Sequence, residues 1–134
     1  MIQYMVREQL KPSGLLGISD KQIEDHWRLY RGYVTQCNRL HEELADMRSQ
    51  ELGDTQTYAD RRRRMGFEYS GMVLHEYYFG NLKAGVALDP NCFFVKSISG
   101  QFGSFEAWRV DFINAGRTRG IGWAMTYMDP LTGQ

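Results

Sequence analysis

Cysteine, proline, histidine and net charge are all scarce in this sequence, and each shortage excludes something. Cys37 and Cys92 are the only cysteines and stand far apart. A scaffold stapled by disulfides is therefore ruled out, and both side chains read most simply as reduced thiols. Three histidines, at positions 26, 41 and 75, cap the number of imidazoles any site can use. Sixteen basic residues balance sixteen acidic ones, so no global field steers the chain toward nucleic acid or anionic lipid. No apolar run approaches membrane-spanning length, and no membrane partner is expected. The first twelve residues mix Arg7, Glu8 and Lys11 with short apolar stretches. They lack a secretion-signal pattern, so a cytoplasmic location is expected.

What is present is a strong helical period. Residues 1–17 read as an irregular arm closed by Pro12, Gly14 and Gly17. Ser19 then has the look of an N-cap, with Gln22 completing a capping box and Asp20 at the positive helix end. Ile23, His26, Trp27, Tyr30, Tyr33, Val34, Cys37, Leu40 and Leu44 step by three and four. That pattern predicts one helix running to about residue 51. Thr55 or Thr57 can cap a second helix, whose stripe is Met65, Tyr69, Met72, His75 and Phe79, widened by Tyr78, with Gly80 and Asn81 at its end. Two long helices with a short link make an antiparallel hairpin. His26 lies farther from the link than His75 by about seven residues, or ~10 Å of rise, an offset the link or a helix crossing must absorb.

The remainder differs. Asp89-Pro90 suits a helix start, Gly100 and Gly103 a stop, and Ser104 the cap of a further helix with Phe105, Trp108 and Phe112 on one side. Trp123–Met128 reads as a strand, followed by a turn at 129–133. A lone strand cannot satisfy its own backbone groups. It is expected to pair with another chain, in a homo-oligomer or with a partner, or with a continuation of the sequence. The fold class is thus mainly α: a long antiparallel helical hairpin followed by the first helices and first strand of an α+β domain. Residues 1–86 form the arm and hairpin, and 87–134 a partial α/β domain.

His26 and His75 are the residues that point to chemistry. One imidazole from each of two facing helices is a common start for a metal site. A lone histidine on an apolar stripe is as readily a hydrogen-bonded core residue, and two donors do not complete a site. A di-iron carboxylate bundle would need two Glu-x-x-His pairs, and the chain has none. The run Arg61–Arg64 reads as a solvated helix face, and His41 as a surface residue.

Taken in order, Ile23-Glu24-Asp25-His26 with Tyr33-Val34, then Leu74-His75-Glu76-Tyr77-Tyr78-Phe79-Gly80-Asn81-Leu82, then Gly103-Ser104-Phe105, then Gly120-Ile121-Gly122-Trp123-Ala124 resemble the iron/manganese superoxide dismutase family. The resemblance spans nearly the whole chain. It implies a helical hairpin followed by a domain with a three-stranded antiparallel sheet. It also implies one mononuclear iron or manganese held by His26 and His75, with an Asp and a His from a later motif that this sequence does not contain. By that resemblance the chain is expected to be an N-terminal portion, roughly two-thirds of the family's usual length, and inactive by itself. Tyr33 matches the family's gateway tyrosine, one residue sooner after the first histidine than usual. Tyr30 falls near the family's funnel histidine, Phe79 stands where many members carry tryptophan, and Trp123 matches a tryptophan walling the metal pocket. Gly71 matches members that keep this position small. Superoxide is the implied substrate. The alternative is a non-catalytic interaction or oligomerisation module of the same ancestry.

Overall fold

The computed structural model describes residues 3–134; the first two positions of the expected arm lie outside the described residues. The chain divides into two compact units, Met1–Val86 and Ala87–Gln134. Unit one holds a turn of 3-10 helix, Glu8–Leu10, and two long helices, α1 Asp20–Ser49 and α2 Gln56–Gly80. Unit two holds α3, Phe93–Phe102, and α4, Phe105–Arg117.

The ends of α1 follow from local chemistry. The Ser19 hydroxyl accepts from the Gln22 amide at 3.2 Å, and the Gln22 side chain accepts from the Ser19 amide at 3.0 Å. Two of the four unpaired amides at the helix start are thereby satisfied. Thr55 caps α2 by accepting from the Tyr58 amide at 3.2 Å. The link between them is six residues, 50–55, and Glu51 turns it with φ of 58°. With these ends His26 lies 23 residues before Ser49 and His75 19 residues after Gln56. The offset to be absorbed is therefore only about 6 Å of rise.

The core of unit one is the seam between the two helices. Ile23, Trp27, Tyr30, Val34, Cys37, Leu40 and Leu44 bury one face of α1. Met65, Glu68, Met72, His75 and Phe79 bury the facing stripe of α2. Glu68, not Tyr69, takes the inward position between Met65 and Met72. Spacing favours it, since 65, 68, 72, 75 and 79 alternate three and four, as one helix face requires. The Arg64 guanidinium answers the buried carboxylate, with Nε donating to Oε1 at 2.6 Å, which is what a charge needs to be tolerated there. Tyr69 is exposed and instead meets the ring of Tyr4, 5.9 Å between centroids.

The arm is tied down by side chains. Asn38 bonds both backbone groups of Tyr4, at 2.8 and 2.9 Å. Lys11 pairs with Glu24 and lies 5.8 Å over the Trp27 ring.

In unit two the Trp108 ring gathers Phe94, Phe105 and Phe112 at 5.0, 5.2 and 5.3 Å. Ile98 is its single buried residue. The strand expected at Trp123–Met128 does not form, and no strand exists among the described residues. Ladder bonds need a second extended segment, and no segment of unit two pairs with this one as a strand. The segment is instead held by a side chain, with Trp108 Nε1 donating to the Thr126 hydroxyl at 3.0 Å.

Candidate functional site

The facing stripes bring His26 and His75 together. Their ring centroids are 4.7 Å apart with planes at 70°. His75 is buried, at 4% exposure, and His26 is half-buried. His75 Nδ1 lies 2.6 Å from the Gly71 carbonyl one turn back on α2. A carbonyl only accepts, so Nδ1 carries the proton and Nε2 the lone pair. Burial holds the pKa of both histidines below the usual imidazole value. At His26 the nearby His75 charge adds to the lowering, while at His75 the Gly71 carbonyl works the other way. Two neutral imidazoles can sit this close without mutual repulsion, and neutral imidazole is the form that binds metal.

Aromatic rings wall the pair. Tyr33 stands 5.1 Å from His75. Tyr78 and Phe79 stand 4.7 and 5.1 Å from His26. Trp27 locks Phe79 and Tyr30 from behind at 4.8 and 4.9 Å. Tyr30 is fully buried, its ring stacked 6.4 Å from His75 at 20°. Its hydroxyl turns elsewhere: it donates to Glu76 Oε1 at 2.9 Å and accepts from the Arg7 amide at 3.0 Å. Arg7 Nε reaches Glu76 Oε2 at 3.3 Å, which closes a three-residue network between arm, α1 and α2. Burial is the main reason the Tyr30 phenol is pushed above its ordinary pKa.

Of the residues singled out in the sequence, His26, Tyr30, Tyr33, His75 and Phe79 share this cluster. Trp123 belongs to the second unit, where it is half-buried. Arg7 and Glu76 were missed. Glu76 adjoins His75 in sequence, but its pairing with an arm residue has no periodic signature. Among the described residues, no three or more His, Cys, Asp or Glu side chains gather as a cage for a metal ion. The cluster therefore offers two donors of one kind. Neutral imidazole suits iron and manganese alike, and in that respect the residues present fit such an ion as part of its coordination.

No family model matches the chain. Individual relatives do. The chain is 35% identical over 133 residues to "Superoxide dismutase [Fe]" of Aquifex aeolicus (strain VF5), a match covering 96% of this chain and 62% of the relative. The same values hold for the protein of that name from Aquifex pyrophilus. It is 30% identical over 103 residues to "Superoxide dismutase [Mn]" of Haloarcula hispanica, covering 77% of this chain and 69% of that relative. The chain thus spans a little under two thirds of the length of the Aquifex relatives.

Proposed function

The chain belongs to the iron/manganese superoxide dismutase family, and from that premise we propose that it carries the helical-hairpin part of a superoxide dismutase centre. In this reading His26 and His75 bind one iron or manganese ion through neutral imidazole. Tyr33 is the phenol beside the route of superoxide, and Tyr30 and Phe79 are walls of the pocket. The remaining donors come from outside this pair, from elsewhere in the protein or from a partner chain, and the working form is an oligomer. The reduced thiols fit a cytoplasmic setting. What supports the reading above all is the approach of the two histidine rings to 4.7 Å, both kept neutral by burial.

The overall reaction converts two superoxide ions and two protons to oxygen and hydrogen peroxide. The bound ion, when present, supplies the one-electron exchange that oxidises one superoxide and reduces the next. The protein's tasks follow from its own groups. The Gly71 carbonyl holds His75 in the tautomer that presents Nε2, a neighbour's orienting hydrogen bond of the kind metal-binding histidines use. Trp27 and Phe79 keep water from that side of the pair. The Tyr33 hydroxyl orients the delivery of protons in the reductive half, which consumes two.

The test is metal loading followed by a superoxide assay. Protein reconstituted with iron or with manganese is expected to hold at most one ion per chain, weakly, and to show little superoxide turnover, because two imidazoles do not complete a site. His26→Ala and His75→Ala are each expected to cut retention at least ~10-fold, as loss of an inner ligand should exceed the effect of losing an outer partner. Retention that both variants leave intact would sink the ligand assignment.

A further inference from the structure

Four glycines lie within the two long helices, at positions 32, 66, 71 and 80. None has a positive φ, so none is there for its backbone. Glycine inside a helix is less favourable than alanine, so a reason must be sought in space. A Cβ added at Gly32 or Gly66 would meet nothing within 4 Å, and one at Gly80 only reaches ordinary contact with Leu10. Gly71 differs. A Cβ there would lie within 2.8 Å of three atoms of one ring: Cδ1, Cε1 and Cζ of Tyr33. Real Cβ atoms do not come so close, so the ring would have to leave.

We propose that Gly71 is a positioning residue whose missing side chain forms the seat holding the Tyr33 ring against His75. The register explains why a seat is needed. Seven residues after His26, at about 100° per residue, Tyr33 returns to within roughly 20° of the same direction. It therefore points at α2, as His26 does. On α2 the residues at 67, 71 and 75 form one four-step ridge. Phe67 and His75 stand on either side of the gap at 71, with centroids 6.1 and 5.1 Å from the Tyr33 ring. The ring lies in the gap as a knob in a hole. The same residue's carbonyl fixes His75 Nδ1, so Gly71 sets both partners of the Tyr33–His75 contact. What the seat means for catalysis rests on the proposed role of Tyr33; the seat itself does not.

The experiment is a four-protein cycle without added metal: the protein, Gly71→Ala, Tyr33→Ala and the double variant. Thermal midpoints and the imidazole ring-proton shifts of His75 are recorded for each. Gly71→Ala alone is expected to lower the midpoint by ~5 °C or more, through overpacking. Added to Tyr33→Ala it is expected to raise the midpoint by ~2–5 °C, because alanine then gains its helical advantage with the three nearest ring atoms gone. Gly71→Ala is also expected to move the His75 ring signals toward their positions in Tyr33→Ala, as the tyrosine's ring current is lost. A Gly71→Ala protein that does not fold would have to be rescued by Tyr33→Ala. Equal destabilisation in both backgrounds, a double variant that stays unfolded, or His75 signals unmoved in Gly71→Ala would each overturn the seat. Since no metal is present, failure here leaves the metal-retention test untouched, and the reverse holds as well.

Discussion

The hairpin and residues 87–134 are built from the same material, helices with apolar stripes and an aromatic cluster, yet they end in different states. In the hairpin, each stripe lies against the other. Trp27, Tyr30, Cys37, Leu40, Leu44 and Phe79 are almost fully enclosed, and the core is closed. In the second unit only Ile98 is buried. A groove of about 390 Å³ stays open there, lined by Phe94, Ile98, Trp108, Phe112, Met125 and Tyr127 among others. The difference teaches what a stripe can do. It specifies a helix and one face, but it stabilises only as much as the opposing surface lets it bury.

The comparison breaks most visibly under truncation of a large side chain on each side. Trp27→Ala removes a ring at 1% exposure that contacts Tyr30 and Phe79. A loss of about 3–5 kcal/mol in urea unfolding is expected. Phe102→Ala removes a ring that is 46% exposed, and a loss below about 1 kcal/mol is expected. Comparable losses would mean that the second unit has a closed core after all.

Next comes the network that ties the arm to both helices. Tyr30→Phe keeps the ring and deletes the hydroxyl shared by Glu76 and the Arg7 amide. The expected loss is about 0.5–1.5 kcal/mol, since Glu76 keeps its pair with the Arg7 guanidinium and Arg7 is exposed. Faster amide exchange at Arg7 should accompany it, with no change at residues 105–117. A cost within error would mean that water replaces the phenol freely.

This network also marks where sequence reading ran out. Ser19 with Gln22, Thr55 with Tyr58 and the glycine stop at 103 were legible because caps act over three or four residues, and their chemistry is written locally. The His26–His75 meeting was legible because two apolar periods intersect there. Glu68 was not, because a carboxylate is read as solvent-facing until a cation such as Arg64 is seen to answer it. The Tyr30–Glu76 bond spans 46 positions, and no period encodes it. The strand at 123–128 failed for a related reason. Aromatic and β-branched composition states a preference, but a strand exists only with a neighbour to bond.

A smaller effect separates the two thiols, one in each unit. Both are free, Cys37 buried and Cys92 partly exposed. Burial, and then the Glu68 carboxylate, push the Cys37 thiol up from 9.0 to about 11. A raised acid favours its neutral form in the folded state. Its contribution is therefore full below about pH 9 and is lost as pH rises through about 11. Alkylation of folded protein at pH 8, followed by peptide mass mapping, is expected to label Cys92 and spare Cys37. Thermal midpoints should fall between pH 9 and 11, and by less in Cys37→Ala measured against its own pH 8 value. Rapid labelling of Cys37 at pH 8 would show that the seam opens readily, contrary to its burial.

The smallest change is the most discriminating, because the same substitution can be made on both sides. Ser19 caps α1 and Ser104 caps α4, the latter accepting from the Ala107 amide at 3.0 Å. Each serine to alanine change removes about 1 kcal/mol of cap stabilisation. Where that loss appears depends on what else holds the helix. Seven buried residues anchor α1 to its partner. Its first turn cannot fray far without exposing Ile23, so Ser19→Ala should lower the global unfolding midpoint and leave helicity at 25 °C unchanged. No residue of α4 is buried, so its first turn can open alone. Ser104→Ala should leave the global midpoint within error and speed amide exchange at residues 105–109 by roughly 5-fold, the factor that ~1 kcal/mol gives. Two caps with equal chemistry would then report on two different kinds of stability. If both variants shift the same global midpoint equally, the second unit unfolds together with the hairpin, and the contrast between a closed seam and an open groove would carry no energetic meaning.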